Sequence, residues 1–382
     1  MSFYIETNKK AIYYYTSWSG YLKDYQISDI PDCVLDIVYG YWFIDNLGNI
    51  SSTDSWADTD KRFILSDKFI PPPDSWNNDY SNFYGNFSQI KKLKKQRKIN
   101  VSLVLGSWIL NNFLSIINNN VNFIHNIISI LKKYDIFSGI VVDFSKLGKN
   151  IKPKDYDSFI KLLKNIKKAL LSNGLNTIHM SLFCSAIPED CNFDISKLNN
   201  CIDRLYVMTL DFNITNNNNN ITNHHTNPRK STFGKYSCED SINYYLSNGI
   251  HSEKLYLTSA LYSRGFTNTY GLGKRGISMY KDWNEGKIDY SDLPQIGSEE
   301  FIDNESKASY SYDKKKKIFN SYDNKFSIIE KCKIIKQKNL GGIFIYENSS
   351  DKCITDSNSI ISILRDNLTH IKPIRLSAIP FK

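Results

Sequence analysis

Cysteine is sparse. Seven stand among 382 residues (Cys33, Cys184, Cys191, Cys201, Cys238, Cys332 and Cys353), and no two are spaced as Cys-x-x-Cys. That excludes a zinc ribbon, a thioredoxin-type redox motif and a dense disulfide framework, and leaves room for one bridge. Long apolar runs are absent too. No stretch approaches the ~18–20 uncharged apolar residues of a membrane span. The first dozen residues, MSFYIETNKKAI, lack the apolar run of a secretory leader, so no export route shows and the compartment stays open. Disorder is excluded from the other side: 41% of residues are hydrophobic and 23% charged, enough to bury a real core. The length suits two or three domains of ~150 residues, or one α/β barrel of ~250 residues with insertions.

Aromatic residues and positive charge are abundant. Aromatics reach 14%, with Tyr 25, Phe 21 and Trp 6. Tyr and Trp join an apolar face to a polar handle, which suits stacking on sugar rings or bases. Asn, Lys, Ile and Tyr are all frequent, however, and AT-rich codons encode all four. Only the positions of the aromatics therefore carry an argument. The formal net charge is +9. Its densest run, Lys91 to Lys98, reads as the exposed face of a helix, and Lys314 to Lys317 as a hairpin tip. The 39 acidic residues dilute the excess, so solvated faces are the reading and nucleic acid is not expected as a partner.

Short apolar strands alternate with amphipathic helices. Strands are expected at Ala11–Thr16, Val34–Phe43, Val101–Leu105, Ser138–Phe144, Thr177–Cys184, Arg204–Thr209, Lys254–Ala260 and Gly342–Tyr346. Helices are expected at Val121–Tyr134, Tyr156–Leu171, Ser241–Asn248, Ser327–Lys338 and Ser359–Asn367. The helix from Tyr156 carries Phe159, Leu162, Leu163, Ile166, Ala169 and Leu170, the stripe of a helix laid on a sheet. Eight β–α alternations with apolar strands imply an α/β fold, a parallel (β/α)8 TIM barrel. Two segments break the rhythm. Asn213–Asn227 is low-complexity and polar, and reads as a mobile loop. Its His224 and His225 are adjacent and chelate a metal poorly, so no metal is assigned. The second interruption, about Phe266 to Asp323, has its own aromatics and reads as a small α+β insertion. The barrel is then 1–265 and 324–382, and the insertion domain 266–323.

In such a barrel the strand C-termini form the site. Strand four places Val141, Asp143 and Ser145 on one face, and a carboxylate in an apolar strand needs partners. Strand six ends in Met208-Thr209-Leu210-Asp211-Phe212. Strand one ends at Trp18, strand three at Trp108 and strand eight at Tyr346-Glu347. Aromatics around two carboxylates describe a sugar site; satisfied internal polar groups of a barrel describe the same pattern.

The order of the pieces resembles family 18 of the glycoside hydrolases, the chitinases, over nearly the whole chain. YYYTSWSGYLKDYQISDIP looks like that family's first strand and loop, and SWADTDKR, from Ser55, like its second loop. VSLVLGSW is similar to the third strand and its Gly-Gly-Trp type signature. LYVMTLDFN resembles the sixth-strand Met-Ser-Tyr-Asp motif. Tyr262 to Phe266, YSRGF, resembles the strand-seven Tyr-Gly-Arg-Gly, and WNEGKIDY and GGIFIYE resemble the insertion and last strand. The resemblance implies a barrel with a chitinase insertion domain, no cofactor, and chitin or chitooligosaccharides as ligands. It implies sugar contacts from Trp18, Trp108, Asp143, Met208, Asp211, Arg264 and Tyr346.

The catalytic strand departs from the family's Asp-Gly-x-Asp-x-Asp-x-Glu. The corresponding positions hold Ser138, Gly139, Val141, Asp143 and Ser145, so only the glycine and the last aspartate remain. In the family the glutamate protonates the leaving oxygen, the preceding aspartate orients the substrate's N-acetyl group, and that group attacks the anomeric carbon. Ser145 cannot donate a proton as a carboxylic acid does near neutral pH. Leu210 replaces a tyrosine, and Tyr346 a tryptophan. Three readings follow: a catalytically inactive chitin-binding protein, a protein-binding scaffold with a decayed cleft, or a hydrolase with a relocated acid.

Overall fold

A computed structural model describes residues 9–62, 84–107, 109–145, 151–190, 193–212, 220–279 and 286–369. The chain opens with β1 (Lys10–Thr16), β2 (Asp36–Ile44), β3 (Ile50–Ser52), β4 (Asn100–Gly106), β5 (Gly139–Asp143), β6 (His179–Ser185), β7 (Arg204–Met208) and β8 (Leu255–Ala260). Five short strands follow, β9 (Arg264–Thr267), β10 (Ile277–Ser278), β11 (Glu299–Asp303), β12 (Ala308–Asp313) and β13 (Ile318–Tyr322), and then β14 (Gly342–Tyr346). Strand β1 pairs in parallel with both β14 and β2, which closes a ring of eight parallel strands; β3 lies antiparallel on β2. The fold is the (β/α)8 barrel expected from the alternation. Strands β9 to β13 form a separate five-stranded antiparallel sheet between β8 and β14.

Strand alternation divides the core in two. Ile12, Tyr14, Val38, Val104, Val141, Phe183, Tyr206, Tyr256 and Phe344 point inward and fill the barrel. The opposite parity, including Tyr13, Ile37, Leu103, Ile140, Leu182 and Ile343, packs beneath the helices. Phe344 is the hub of the interior, with ring centroids 4.8 Å from Tyr206 and 5.1 Å from Phe183. At the strand N-termini the buried pair Arg204–Asp36, 3.0 Å apart, closes the floor. The barrel mouth is left for polar groups.

Helices α1 (Ser19–Leu22), α2 (Gly85–Gln96), α3 (Leu110–Asn118), α4 (Val121–Lys133), α5 (Pro153–Ser172), α6 (Cys238–Ser247), α7 (Lys325–Gln337) and α8 (Ile360–Leu364) complete the fold. Pro153 begins α5, where a missing N–H costs nothing. Ser237 caps α6 and Asn324 forms a capping box with Ser327 on α7. No described helix is long and apolar enough to cross a membrane. The described cysteines, Cys33, Cys184, Cys201, Cys238, Cys332 and Cys353, are free thiols.

The polar stretch read as a mobile loop is corrected by the structure over its described part. Thr222, His224, His225, Thr226 and Asn227 are all buried. Hydrogen bonds take the place of water there. Thr222 Oγ1 donates to the Gly271 carbonyl, Thr226 Oγ1 to that of Thr209, and Asn227 Nδ2 to that of Arg229. The two histidines turn apart: His224 Nε2 lies 3.1 Å from Asp303, and His225 Nδ1 lies 3.3 Å from Asp211.

Candidate functional site

The C-terminal ends of β1, β2, β4, β5, β7 and β14, with the loops that follow, meet at the barrel mouth. Asp143 closes β5 and is partly buried. Its Oδ1 accepts from the Ser145 backbone N–H at 3.0 Å and from Ser145 Oγ at 2.6 Å. Ser145 therefore serves as a double donor to Asp143. Gly106 and Gly40 make room beside it. A Cβ on Gly106 would stand 2.4 Å from Tyr41 Oη and 2.7 Å from Asp143 Cβ, and one on Gly40 would stand 2.6 Å from Tyr14 Oη. Tyr14, Tyr41 and Asp143 thus converge at one end of the barrel. Burial pushes both tyrosine hydroxyls above their ordinary pKa, and nearby Asp143 adds to this.

Tyr346 ends β14 with its ring 4.7 Å from that of Tyr14 and 6.3 Å, edge-on, from that of Tyr262. The Tyr14 ring lies tilted at 30° against it. Met208 ends β7, partly buried, and accepts a weak contact from Thr258 Oγ1 at 3.8 Å. Trp18 sits where β1 passes into α1, half-buried, its carbonyl accepting from Tyr21 and Leu22. Trp108 lies outside the described residues.

Asp211 at the mouth is heavily bonded. Arg264 holds it through two hydrogen bonds of 2.8 Å, Tyr262 donates at 3.1 Å, and His225 stands behind it. Burial works to raise the Asp211 carboxyl, but Arg264 and His225 outweigh it and hold it well below the usual carboxylate range. Its backbone is left-handed, φ 60°, a conformation aspartate tolerates better than most residues. Burial, opposed by Asp211, pulls the His225 imidazole below its ordinary pKa.

Two further carboxylates described near the mouth, Asp211 and Glu347, are each paired with a cation. Asp211 is committed to Arg264 through two hydrogen bonds. Glu347 is turned to Lys23, whose Nζ lies 2.8 Å from it and also bonds Asp289 and Ser350. Burial works to lower the Lys23 ammonium, but Glu347 and Asp289 prevail and raise it. The segments after β1, β10 and β14 are pinned together by this one cation. Among the described residues no group of three His, Cys, Asp or Glu could hold a metal ion.

Sequence reasoning missed Tyr14, Tyr41, Tyr262 and His225 as site residues. Strand parity carried a signal for Tyr14, two positions from Ile12 on the inward face. The Asn-rich stretch marked His225 only as a poor metal ligand beside His224, not as a partner of Asp211.

A closed parallel barrel with tyrosines and carboxylates at its mouth, and an antiparallel sheet after its seventh strand, defines a chitinase-like architecture. The chain belongs to glycosyl hydrolases family 18, whose model matches residues 10–351. It is 28% identical over 356 residues to endochitinase 1 of Metarhizium robertsii, covering 90% of this chain and 82% of that protein. It is 27% identical to chitinase 1 of Aphanocladium album over 371 residues, covering 93% and 84%. Among solved structures, a Bacillus thuringiensis chitinase matches with a TM-score of 0.82 at 21% identity, over 95% of this chain and 70% of that one. The Ostrinia furnacalis Group IV chitinase in complex with allosamidin matches with a TM-score of 0.78 at 20% identity, over 95% and 99%.

Proposed function

We propose that the protein binds chitin or N-acetylglucosamine oligomers at the barrel mouth and does not hydrolyse them. The observation that carries this is Ser145, a hydroxyl that donates to Asp143 where the family motif has its acid. Loss of a general acid costs ~10²–10⁴ in rate. Binding needs no acid. Tyr346 and Trp18 supply stacking faces, and Asp143, Met208, Asp211 and Arg264 supply the edges. The Arg264–Asp211 fork is built before a ligand arrives, which lowers the cost of ordering it on binding. In this reading 266–323 is an insertion domain flanking the cleft formed by the barrel, 1–265 and 324–382. A protein partner is the alternative occupant of the mouth. The relatives' names support a chitin-type ligand. So does an Ostrinia furnacalis Group II chitinase domain with a glutamate-to-leucine substitution, solved with penta-N-acetylchitooctaose (TM-score 0.76, 19% identity).

Calorimetric titration with chitohexaose tests the proposal. A saturating heat that returns to baseline is expected. Asp143→Ala should abolish it while leaving the far-ultraviolet circular dichroism unchanged; unaltered affinity in that variant would place the ligand elsewhere. Absence of heat with the natural chain would favour the protein partner.

A further inference from the structure

We propose that the outer wall formed by α2, α4 and α5 docks on an anionic lipid bilayer through its phosphate and carboxylate headgroups. The charge distribution carries the inference. Residues 85–172 contain sixteen Lys and Arg against four Asp and no Glu, whereas the rest of the chain contains 32 basic and 35 acidic residues. The whole positive excess therefore belongs to one run of the chain, and the fold gathers the described helices of that run on one side of the barrel. Lys91 Nζ reaches Asp135 at 3.6 Å, and Lys94 Nζ donates to the Ile136 carbonyl, tying the end of α2 to the end of α4. Lys132 Nζ donates to Asn173 Oδ1 at 2.8 Å, tying the end of α4 to the end of α5. Lys92, Lys95, Lys98, Lys132, Lys133, Lys161, Lys164, Lys167 and Lys168 are all exposed on this joined surface. The acids do little to offset them. Of the four, Asp143 is in the mouth, Asp135 meets Lys91, Asp157 is engaged by Lys197 at 2.9 Å, and Asp155 stands in the first turn of α5 between Lys152, Lys154 and Lys161 in sequence.

The kind of charge points to a bilayer rather than a nucleic acid. The segment's single arginine, Arg97, spends its guanidinium on the carbonyls of Ile30, Pro31 and Val34 and presents no fork outward. Among the described residues, none of the exposed large aromatics lies on these helices, so nothing there stacks on bases. A convex wall of flexible ammonium groups responds to charge density. Helix C-termini lie at the end of the barrel opposite its mouth, so a surface bound there leaves the mouth facing solution.

The test is co-sedimentation of the full chain with phosphatidylcholine vesicles, with and without phosphatidylserine. Binding only to the anionic vesicles, weakening as salt rises, is expected. Lys161, Lys164 and Lys168 share one face of α5. The triple variant K161E/K164E/K168E should lose roughly a hundred-fold in affinity, at about five-fold or more per lysine. K314E/K315E/K316E, with the same change in charge at the exposed hairpin tip, should keep its binding. Three results would each overturn the proposal: equal losses in both variants, no preference for anionic vesicles, or tighter binding to duplex DNA at the same salt. Circular dichroism of both variants reports that the fold is kept.

Discussion

Asp58 and Asp211 are carboxylates that the fold drives in opposite directions. Asp58 is sealed from solvent, accepting from Tyr39, from Trp42 Nε1 at 2.7 Å and from Ser52 Oγ at 2.6 Å. These three donors are neutral, and burial prevails, pushing its pKa up to about 6. The folded chain thus holds this proton more tightly than the unfolded chain does. The stabilisation is full below the unfolded value of about 3.9 and is lost as pH rises through about 6. Relative to Asp58→Asn, the natural protein should lose roughly 2–3 kcal/mol between about pH 4 and pH 7, measured by urea unfolding. A constant difference across that range would contradict the assignment. Asp211 has the opposite sign: its contribution is present above the unfolded value and fades as pH falls toward its depressed folded value. Arg264→Met should cost about 2–3 kcal/mol by stranding Asp211, and adding Asp211→Leu should recover part of it. Both variants are read by the same urea unfolding. Asp211 and Asp143 were legible because each is an acid set among apolar strand residues. Asp58 was not, because its partners come from β2 and β3 and SWADTDKR reads as a polar loop.

Elements were legible where one physical signal dominated. The barrel strands are apolar throughout because both of their faces are buried, and their expected limits fall within about three residues of those in the structure. The hairpin tip at Lys314 to Lys317 joins β12 and β13 as its turn chemistry implies. The Asn-rich stretch failed for an equally physical reason. Composition reports polarity, and polar side chains can be buried once each has a partner, which only the tertiary fold supplies. The interior parity was legible, but the packing hub was not. Phe344→Ala on β14 removes the ring shared by Phe183 and Tyr206 and should cost about 3–5 kcal/mol in urea unfolding. A loss below ~1 kcal/mol would mean that the interior repacks around the gap.

At the scale of the whole molecule, the barrel keeps its stability and its site at opposite ends. The buried Arg204–Asp36 pair closes the floor, aromatic rings fill the middle, and the mouth holds the tyrosines with Asp143, Asp211 and Arg264. This division lets the chemistry at one strand end change while the fold persists. Under the proposed function, Val141, Leu210 and Ser145 are the positions that depart from the family motif, and reversing them asks whether the cleft is otherwise intact. The decisive measurement is product release from chitohexaose by the natural chain and by the variant V141D/S145E/L210Y, side by side. The account predicts no release by the natural chain and measurable chitinolysis by the variant. Steady release by the natural chain would contradict it outright, and a folded but silent variant would show that more than the acid has been lost.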